Sequence, residues 1–272
     1  MAKKLLNGSE LAGYIKERQA KQVRMLRQAH KILPKVVIVK SSKASAVIES
    51  YVRLKAEYAS DILIEFEQIA CDQTAMLTEI ERLNNDATVH GIVVQLPLDN
   101  PEQTDEIVDA IAPEKDIDGL GKNSNYISAT AEAIDWLLTG YGVELASKKI
   151  VIAGRGRLVG KPLIELWTER GLDITTLDKQ TENPDELLRL ADVIITATGQ
   201  PRLVHGKNVA TGAVVVDAGT ASEDGKIVGD IDPTLVERDD LTITPIKGGV
   251  GPLTIVLLFD HVIRAALATI EN

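Results

Sequence analysis

Apolar and polar positions alternate along this chain between helical and strand-like patterns, regularly enough to predict a fold class. Gly8 to His30 reads as an amphipathic helix, and Lys35 to Lys40 (KVVIVK) as a short β-branched strand. Ala44 to Ser60 returns to helix, Asp61 to Phe66 (DILIEF) to strand, Thr74 to Asn84 to helix and Gly91 to Gln95 to strand. A second series begins near Lys148, with strands at Lys149 to Ala153, Ile174 to Leu177, Val193 to Ala197 and Val214 to Asp217, and helices between the earlier ones. Strands that alternate with helices predict an α/β fold of parallel sheets wrapped by helices. No repeat of fixed period and no low-complexity linker interrupts the pattern, and a lobe boundary is expected between Lys122 and Gly142.

Composition narrows the class. A chain of 272 residues with 44% hydrophobic content can bury a substantial core and ordinarily divides into two lobes. A net charge of −10 argues against nucleic acid or an anionic membrane surface as the main partner, because both demand a basic excess. Cys71 is the single cysteine, which excludes an internal disulfide and suits a reducing compartment. The residues Met1-Ala2-Lys3-Lys4 lead into a helix without a signal-peptide core, and no stretch approaches the apolar length of a membrane span, so a cytoplasmic protein is expected. His30, His90, His205 and His261 lack ligand spacing, so surface or core roles are expected for them and no metal site.

Three short segments carry candidate chemistry. In Tyr51-Val52-Arg53-Leu54-Lys55 the i,i+4 spacing puts a phenol ring and an ammonium on one helix face. Gly91-Ile92-Val93-Val94-Gln95-Leu96-Pro97 has the chemistry of a buried strand ended by proline, which places Gln95 at the carboxyl edge, where ligands bind in open α/β sheets. Lys115-Asp116-Ile117-Asp118-Gly119 packs two carboxylates into a turn closed by glycine, which holds a carboxylate rigidly. Each has an ordinary alternative: a solvated helix face, a satisfied loop amide, an Asx turn. Together they read as one site for a flat, polar heterocycle.

The second series opens with a strand that runs into Gly154-Arg155-Gly156-Arg157-Leu158-Val159-Gly160 and then a helix, the context that lets backbone N–H groups and a helix N-terminus approach a pyrophosphate. The next strand ends in Asp178-Lys179. An acid there suits a ribose 2′-hydroxyl and repels a 2′-phosphate, whereas Arg155 and Lys179 suit the phosphate, so NAD and NADP both stay in view.

The chain resembles the bifunctional methylenetetrahydrofolate dehydrogenase/cyclohydrolase family. The resemblance is carried by Tyr51 to Lys55, Gly91 to Leu98, Lys115 to Gly119, and Thr244-Pro245-Ile246-Lys247-Gly248-Gly249-Val250-Gly251-Pro252-Leu253-Thr254, and it runs almost the whole length. It implies two lobes: a folate-binding catalytic α/β domain of residues 1–125 joined by a returning C-terminal helix, 253–272, and a Rossmann-type dinucleotide-binding domain of residues 126–252. The implied activity is oxidation of 5,10-methylenetetrahydrofolate with NADP, or NAD as the alternative, followed by hydrolysis of the methenyl product to 10-formyltetrahydrofolate. Carried over residue by residue, Lys55 transfers the proton in hydrolysis and Gln95 orients it. Tyr51 stacks on the substrate, Asp118 accepts hydrogen bonds from the pterin, and Gly249, Pro252 and Thr254 line the roof over it. Gly154, Arg155, Gly156, Gly160, Asp178, Lys179, Thr198 and Gly199 take the cofactor. A cytoplasmic homodimer with a small-molecule folate substrate is implied.

The family pattern is broken in several places. Leu120-Gly121-Lys122-Asn123-Ser124-Asn125 stands where relatives read Phe-His-Pro-x-Asn, and the substrate-side loop that follows is shortened. Lys40 replaces a glycine, Ile48 stands three before Tyr51 where relatives place serine, Gly156 replaces a serine and Lys247 a proline. Two alternatives remain beside the full activity: a relative that keeps one activity or only folate or nucleotide binding, and a two-lobe dehydrogenase acting on a small acid or amino acid.

Overall fold

A computed structural model describes residues 4–223 and 226–271. In chain order it begins with β1 (Lys4–Leu5), α1 (Gly8–Met25), β2 (Lys35–Ser41), α2 (Ala46–Asp61), β3 (Glu65–Cys71) and α3 (Met76–Asn84). There follow β4 (Gly91–Val94), α4 (Thr104–Asp109), α5 (Ala129–Gly140), β5 (Ile150–Ala153), α6 (Gly160–Glu169), β6 (Ile174–Leu177) and α7 (Pro184–Leu190). The last elements are β7 (Val193–Thr196), β8 (Val214–Asp217), β9 (Ala221–Glu223), β10 (Lys226–Val228), β11 (Thr242–Ile243) and α8 (Val250–Glu271). The chain divides into two compact units: Gly13–Ala129 with the residues from Ile255 onward, and Thr130–Thr254 with the residues up to Ala12.

The first unit is built on a parallel sheet ordered β3-β2-β4. β2 is central because Val36, Val37, Ile38 and Val39 are all inaccessible to solvent, as a strand buried on both faces requires. Fully burying each such side chain is worth about 1.5–3 kcal/mol before the entropy of ordering it. One face packs Val37, Val39, Ile92 and Val94 against Met76, Ile80 and Leu83 of α3. The chain runs from β2 to β3 on one side and then to β4 on the other, so the strand order reverses between β2 and β4. Beyond β4 the backbone at Asp116 bridges to Ile92, and Ile92 N–H donates to Lys115 O at 2.8 Å, which sets the Lys115–Gly119 turn beside the sheet.

The second unit holds a six-stranded parallel sheet ordered β1-β11-β8-β7-β5-β6, with β9 and β10 forming a separate antiparallel pair. Its order reverses between β5 and β7. Trp167 of α6, fully buried, donates through Nε1 to the Asp135 carboxylate of α5 at 2.9 Å, and Arg170 donates to the same oxygen at 2.6 Å, so a half-exposed cation neutralises a nearly buried acid.

Several elements differ from the sequence expectation. The third strand runs over Glu65–Cys71 rather than Asp61 to Phe66, because α2 continues to Asp61 and the chain turns through Leu63 in a left-handed conformation (φ 65°). Hydrophobic pattern alone located an apolar run there but not its start. The first helix changes to π geometry at Leu26–His30, and Lys4–Leu5, expected to enter that helix, instead pairs with β11 as an edge strand. The last helix begins at Val250, not Leu253, so Gly251 and Pro252 lie in its first turn, where proline removes no intrahelical bond. The expectation that no stretch is long and apolar enough to cross a membrane is also corrected: among the described residues Val250–Ile270 is one, although most of it is buried in the protein.

Candidate functional site

The carboxyl edge of the first unit's sheet gathers the candidate groups named from sequence. Ser45 caps α2, its Oγ accepting from Ile48 N–H at 3.3 Å, which fixes the start of the helix and hence the face on which Tyr51 and Lys55 stand one turn apart. Tyr51 is exposed, whereas Lys55 is partly exposed and lies among enough protein to be desolvated. Gln95 leaves β4 with its N–H on Val39 O at 2.8 Å, so the sheet itself places the amide. The Leu96–Pro97 peptide that follows is cis. Lys55 Nζ donates to Gln95 Oε1 at 2.8 Å, and Gln95 Nε2 donates to Leu96 O at 3.1 Å, leaving the amide fixed in orientation.

Asp118 joins this pair through its field. Burial holds the Lys55 amine below its ordinary value, with the Asp118 charge opposing the shift. Burial likewise raises the Asp118 carboxyl, and the charges of Lys55 and His261 oppose it. Both shifts come from lost hydration, so each group is readier to be neutral than it would be in water. Gly119 closes the turn at φ 69°, and a Cβ there would overlap the Ile127 backbone, so only glycine lets the loop pass this close.

Asp116 in the same turn is 1% exposed, and burial raises its carboxyl to about 6. Its Oδ2 accepts from Gly121 N–H at 2.8 Å, while its Oδ1 is buried without a hydrogen-bond partner. Lys40, which replaces the family glycine, is buried and ion-paired with Glu49 of α2. The unit thus accommodates that departure by a local charge pair.

In the second unit β5 runs into the Gly154–Gly160 loop and α6, at the point where the strand order reverses. Gly154 has φ 99°, and a Cβ on it would overlap Ala197 O; a Cβ on Gly160 would overlap Gly154 O. The loop is therefore held tight at both ends, while Gly156 opens on free space and Arg155 is exposed. This is a cradle into which a phosphate could be brought close to backbone N–H groups. Thr198 and Gly199 follow β7, exposed, with Thr198 N–H and Oγ1 both donating to Asp230 Oδ2, at 2.6 and 2.9 Å. Asp178 and Lys179 are exposed at the end of β6, and Asp178 Oδ1 accepts from Gln180 N–H at 2.9 Å in an Asx turn. Gly249 is buried, and Pro252 and Thr254 are partly buried at the start of α8, also in this unit.

Sequence reasoning missed two contacts. One is between fully buried Asp230 and half-buried Asp217: Asp217 Oδ1 accepts from Asp230 N–H at 3.1 Å and from Gly219 N–H at 2.9 Å, bracing the loops after β7 and β8. The other is that of His261, 0% exposed, whose Nδ1 lies 2.7 Å from Ile117 O. The His261 contact joins residues 144 apart in sequence and the Asp217–Asp230 contact residues 13 apart, and no local pattern pairs them. Among the described residues no group of three or more His, Cys, Asp or Glu side chains is placed to hold a metal ion.

Comparison with known proteins places this geometry in context. Residues 6–118 match the family model described as tetrahydrofolate dehydrogenase/cyclohydrolase, catalytic domain, and residues 128–270 match its NAD(P)-binding domain. The bifunctional protein FolD of Staphylococcus epidermidis is 36% identical over 97% of each chain, and bifunctional protein FolD 2 of Lactobacillus johnsonii is 38% identical over 96% of each. Among solved structures, the bifunctional FolD methylenetetrahydrofolate dehydrogenase/cyclohydrolase of Campylobacter jejuni superposes with a TM-score of 0.92 at 30% identity, covering 98% of this chain and 100% of that one. The Trypanosoma brucei methylenetetrahydrofolate dehydrogenase-cyclohydrolase, complexed with NADP cofactor and inhibitor, gives 0.92 at 28% identity with both chains fully covered.

Proposed function

The chain belongs to the tetrahydrofolate dehydrogenase/cyclohydrolase family, and from that premise we propose that it oxidises 5,10-methylenetetrahydrofolate and hydrolyses the resulting methenyl cation to 10-formyltetrahydrofolate. The observation that carries the reading is the Lys55–Gln95 hydrogen bond beside Asp118 at the carboxyl edge of the first sheet. The first unit is the folate-binding domain in this reading, and the second holds the cofactor.

Lys55 is assigned as the general base of the hydrolysis. Lost hydration favours its neutral form, and a cationic substrate beside it favours that form further. With one N–H committed to Gln95 Oε1, the amine is held in place to take a proton from the water that adds to the methenyl carbon. Asp118 accepts hydrogen bonds from the amino and ring N–H groups of the pterin, and Tyr51 offers an exposed flat face for stacking.

The cofactor is NADP or NAD, and the glycine cradle fits its pyrophosphate: Gly154, Gly156 and Gly160 admit the backbone approach, with Arg155, Asp178, Lys179, Thr198 and Gly199 around it. When bound, the nicotinamide accepts the hydride. Gly249, Pro252 and Thr254 are assigned to the substrate on family grounds. A cytoplasmic homodimer is proposed on the same grounds, to be tested by light scattering on the purified protein. The function itself is tested by supplying methylenetetrahydrofolate with NADP or NAD and following methenyl absorbance, then measuring hydrolysis of added methenyltetrahydrofolate. Activity in both assays supports the full reading, and activity in one assay alone supports the single-activity alternative.

A further inference from the structure

His261 lies on α8, and the turn that carries Asp118 lies 143 residues earlier in the chain, yet the two meet inside the first unit. The imidazole is 0% exposed, and Nδ1 is 2.7 Å from Ile117 O; a carbonyl can only accept, so Nδ1 carries the hydrogen. Its ring stacks on Tyr126 with centroids 4.8 Å apart and planes at 28°, and Arg264, one turn further along α8, places its guanidinium 5.3 Å from the same phenol ring. Tyr126 belongs to the short loop that follows Asp118 and ends where Ala129 N–H donates to Asp118 O at 3.2 Å. The backbone on both sides of Asp118 is thus tied down, by α8 before it and by the end of the loop after it.

We propose that His261 is a positioning residue for the folate-binding carboxylate: through Ile117 O and Tyr126 it holds the Asp118 turn against the sheet. The assignment rests on the reading that Asp118 binds the pterin. The charged and titratable groups around this cluster are Lys55 from α2, Asp116 from the same turn, Arg264 from α8, and Tyr126 with Glu114 from the flanking loops. The charge of Lys55 opposes the effect of burial on Asp118.

The test uses the full-length enzyme in the dehydrogenase assay, with KM for methylenetetrahydrofolate and for the nicotinamide cofactor measured for each variant. His261→Ala is expected to raise the folate KM about three- to tenfold, the scale of one buried hydrogen bond, with the cofactor KM unchanged. His261→Asn keeps a side-chain N–H where Nδ1 stood but carries no charge. It is expected to restore the folate KM, because the hydrogen bond to Ile117 O is kept. A parent-like folate KM in His261→Ala would overturn the proposal, as would a KM raised equally in both variants, which would leave packing alone. If Asp118→Ala itself left the folate KM unchanged, the pterin-binding reading would fail; if it raised KM while His261→Ala did not, only the His261 assignment would.

Discussion

Lys55 Nζ donates a 2.8 Å hydrogen bond to Gln95 Oε1, joining the middle of α2 to the carboxyl end of β4 across 40 residues of sequence. Because Gln95 is itself held by Val39 O and Leu96 O, the amine is aimed by a group that cannot swing away. Replacing Gln95 with alanine removes this guide without adding or removing charge. The expected outcome is a loss of about ten- to a hundredfold in methenyltetrahydrofolate hydrolysis, read mainly in kcat, on the usual scale of a misdirected general base. A change confined to KM would indicate that Gln95 binds substrate and does not orient Lys55.

The pH dependence of hydrolysis should follow the Lys55 amine. Burial lowers its pKa and Asp118 only partly opposes that, so the neutral base is available below the ordinary lysine range. The rate is expected to rise with pH to a plateau, with the midpoint lower than that of a solvated lysine. Asp118→Asn removes the opposing charge and should move the midpoint lower still. A midpoint that moves upward in that variant contradicts the assigned coupling.

Much of this was legible in the sequence, and the reasons differ by element. β2 and β4 were recognisable because continuous β-branched runs have few other ways to be buried, and the glycine loop because strand, turn and helix stand in order around it. β3 was misplaced because nothing local distinguishes the last turn of α2 from the first residues of an apolar strand; the left-handed turn at Leu63 decides it. Tyr51, Lys55, Gln95 and Asp118 could be named because each sits in a motif, whereas His261 looks like any core histidine until α8 is folded back beside Ile117. Asp230 was invisible for the same reason: its partners, Thr198 and Asp217, are brought to it by topology.

Asp116 should weaken the fold near neutral pH. Its carboxyl is raised to about 6 in the folded protein from 3.8, so folding favours the protonated form. That contribution is fully present below about pH 4 and is lost as pH rises through about 6. Asp116→Asn keeps an acceptor for Gly121 N–H and removes the buried charge. It is expected to raise stability on the order of 1–2 kcal/mol at pH 7.5, with the gain vanishing near pH 4, in denaturant titrations at the two pH values. Equal effects at both would contradict the burial account.

The glycine cradle should show its constraint separately from the folate site. A Cβ on Gly160 would overlap Gly154 O, and the backbone there cannot yield without moving β5 away from Ala197. Gly160→Ala is expected to raise the KM for NADP at least about tenfold, the cost of shifting a backbone group proposed to contact phosphate, while hydrolysis of added methenyltetrahydrofolate is little changed. Loss of both activities with an intact fold would count against the division of labour between the two units.

Asp178 offers a direct reading of cofactor choice. Its carboxylate is exposed at the end of β6, so solvent screens its repulsion of a 2′-phosphate to a modest term. Asp178→Ser is expected to improve kcat/KM for NADP about three- to tenfold relative to NAD, in parallel assays with the two cofactors at low ionic strength. An unchanged ratio would mean that Asp178 does not face the ribose.

The central assignment, Lys55 as the base of the hydrolysis, is tested most directly by single-turnover hydrolysis of methenyltetrahydrofolate by Lys55→Met, a substitution that keeps the apolar stem and removes the amine. The expected result is a rate reduced by at least about a hundredfold, with an unchanged circular dichroism spectrum and retained cofactor binding. Hydrolysis at the parent rate by the folded variant would contradict it.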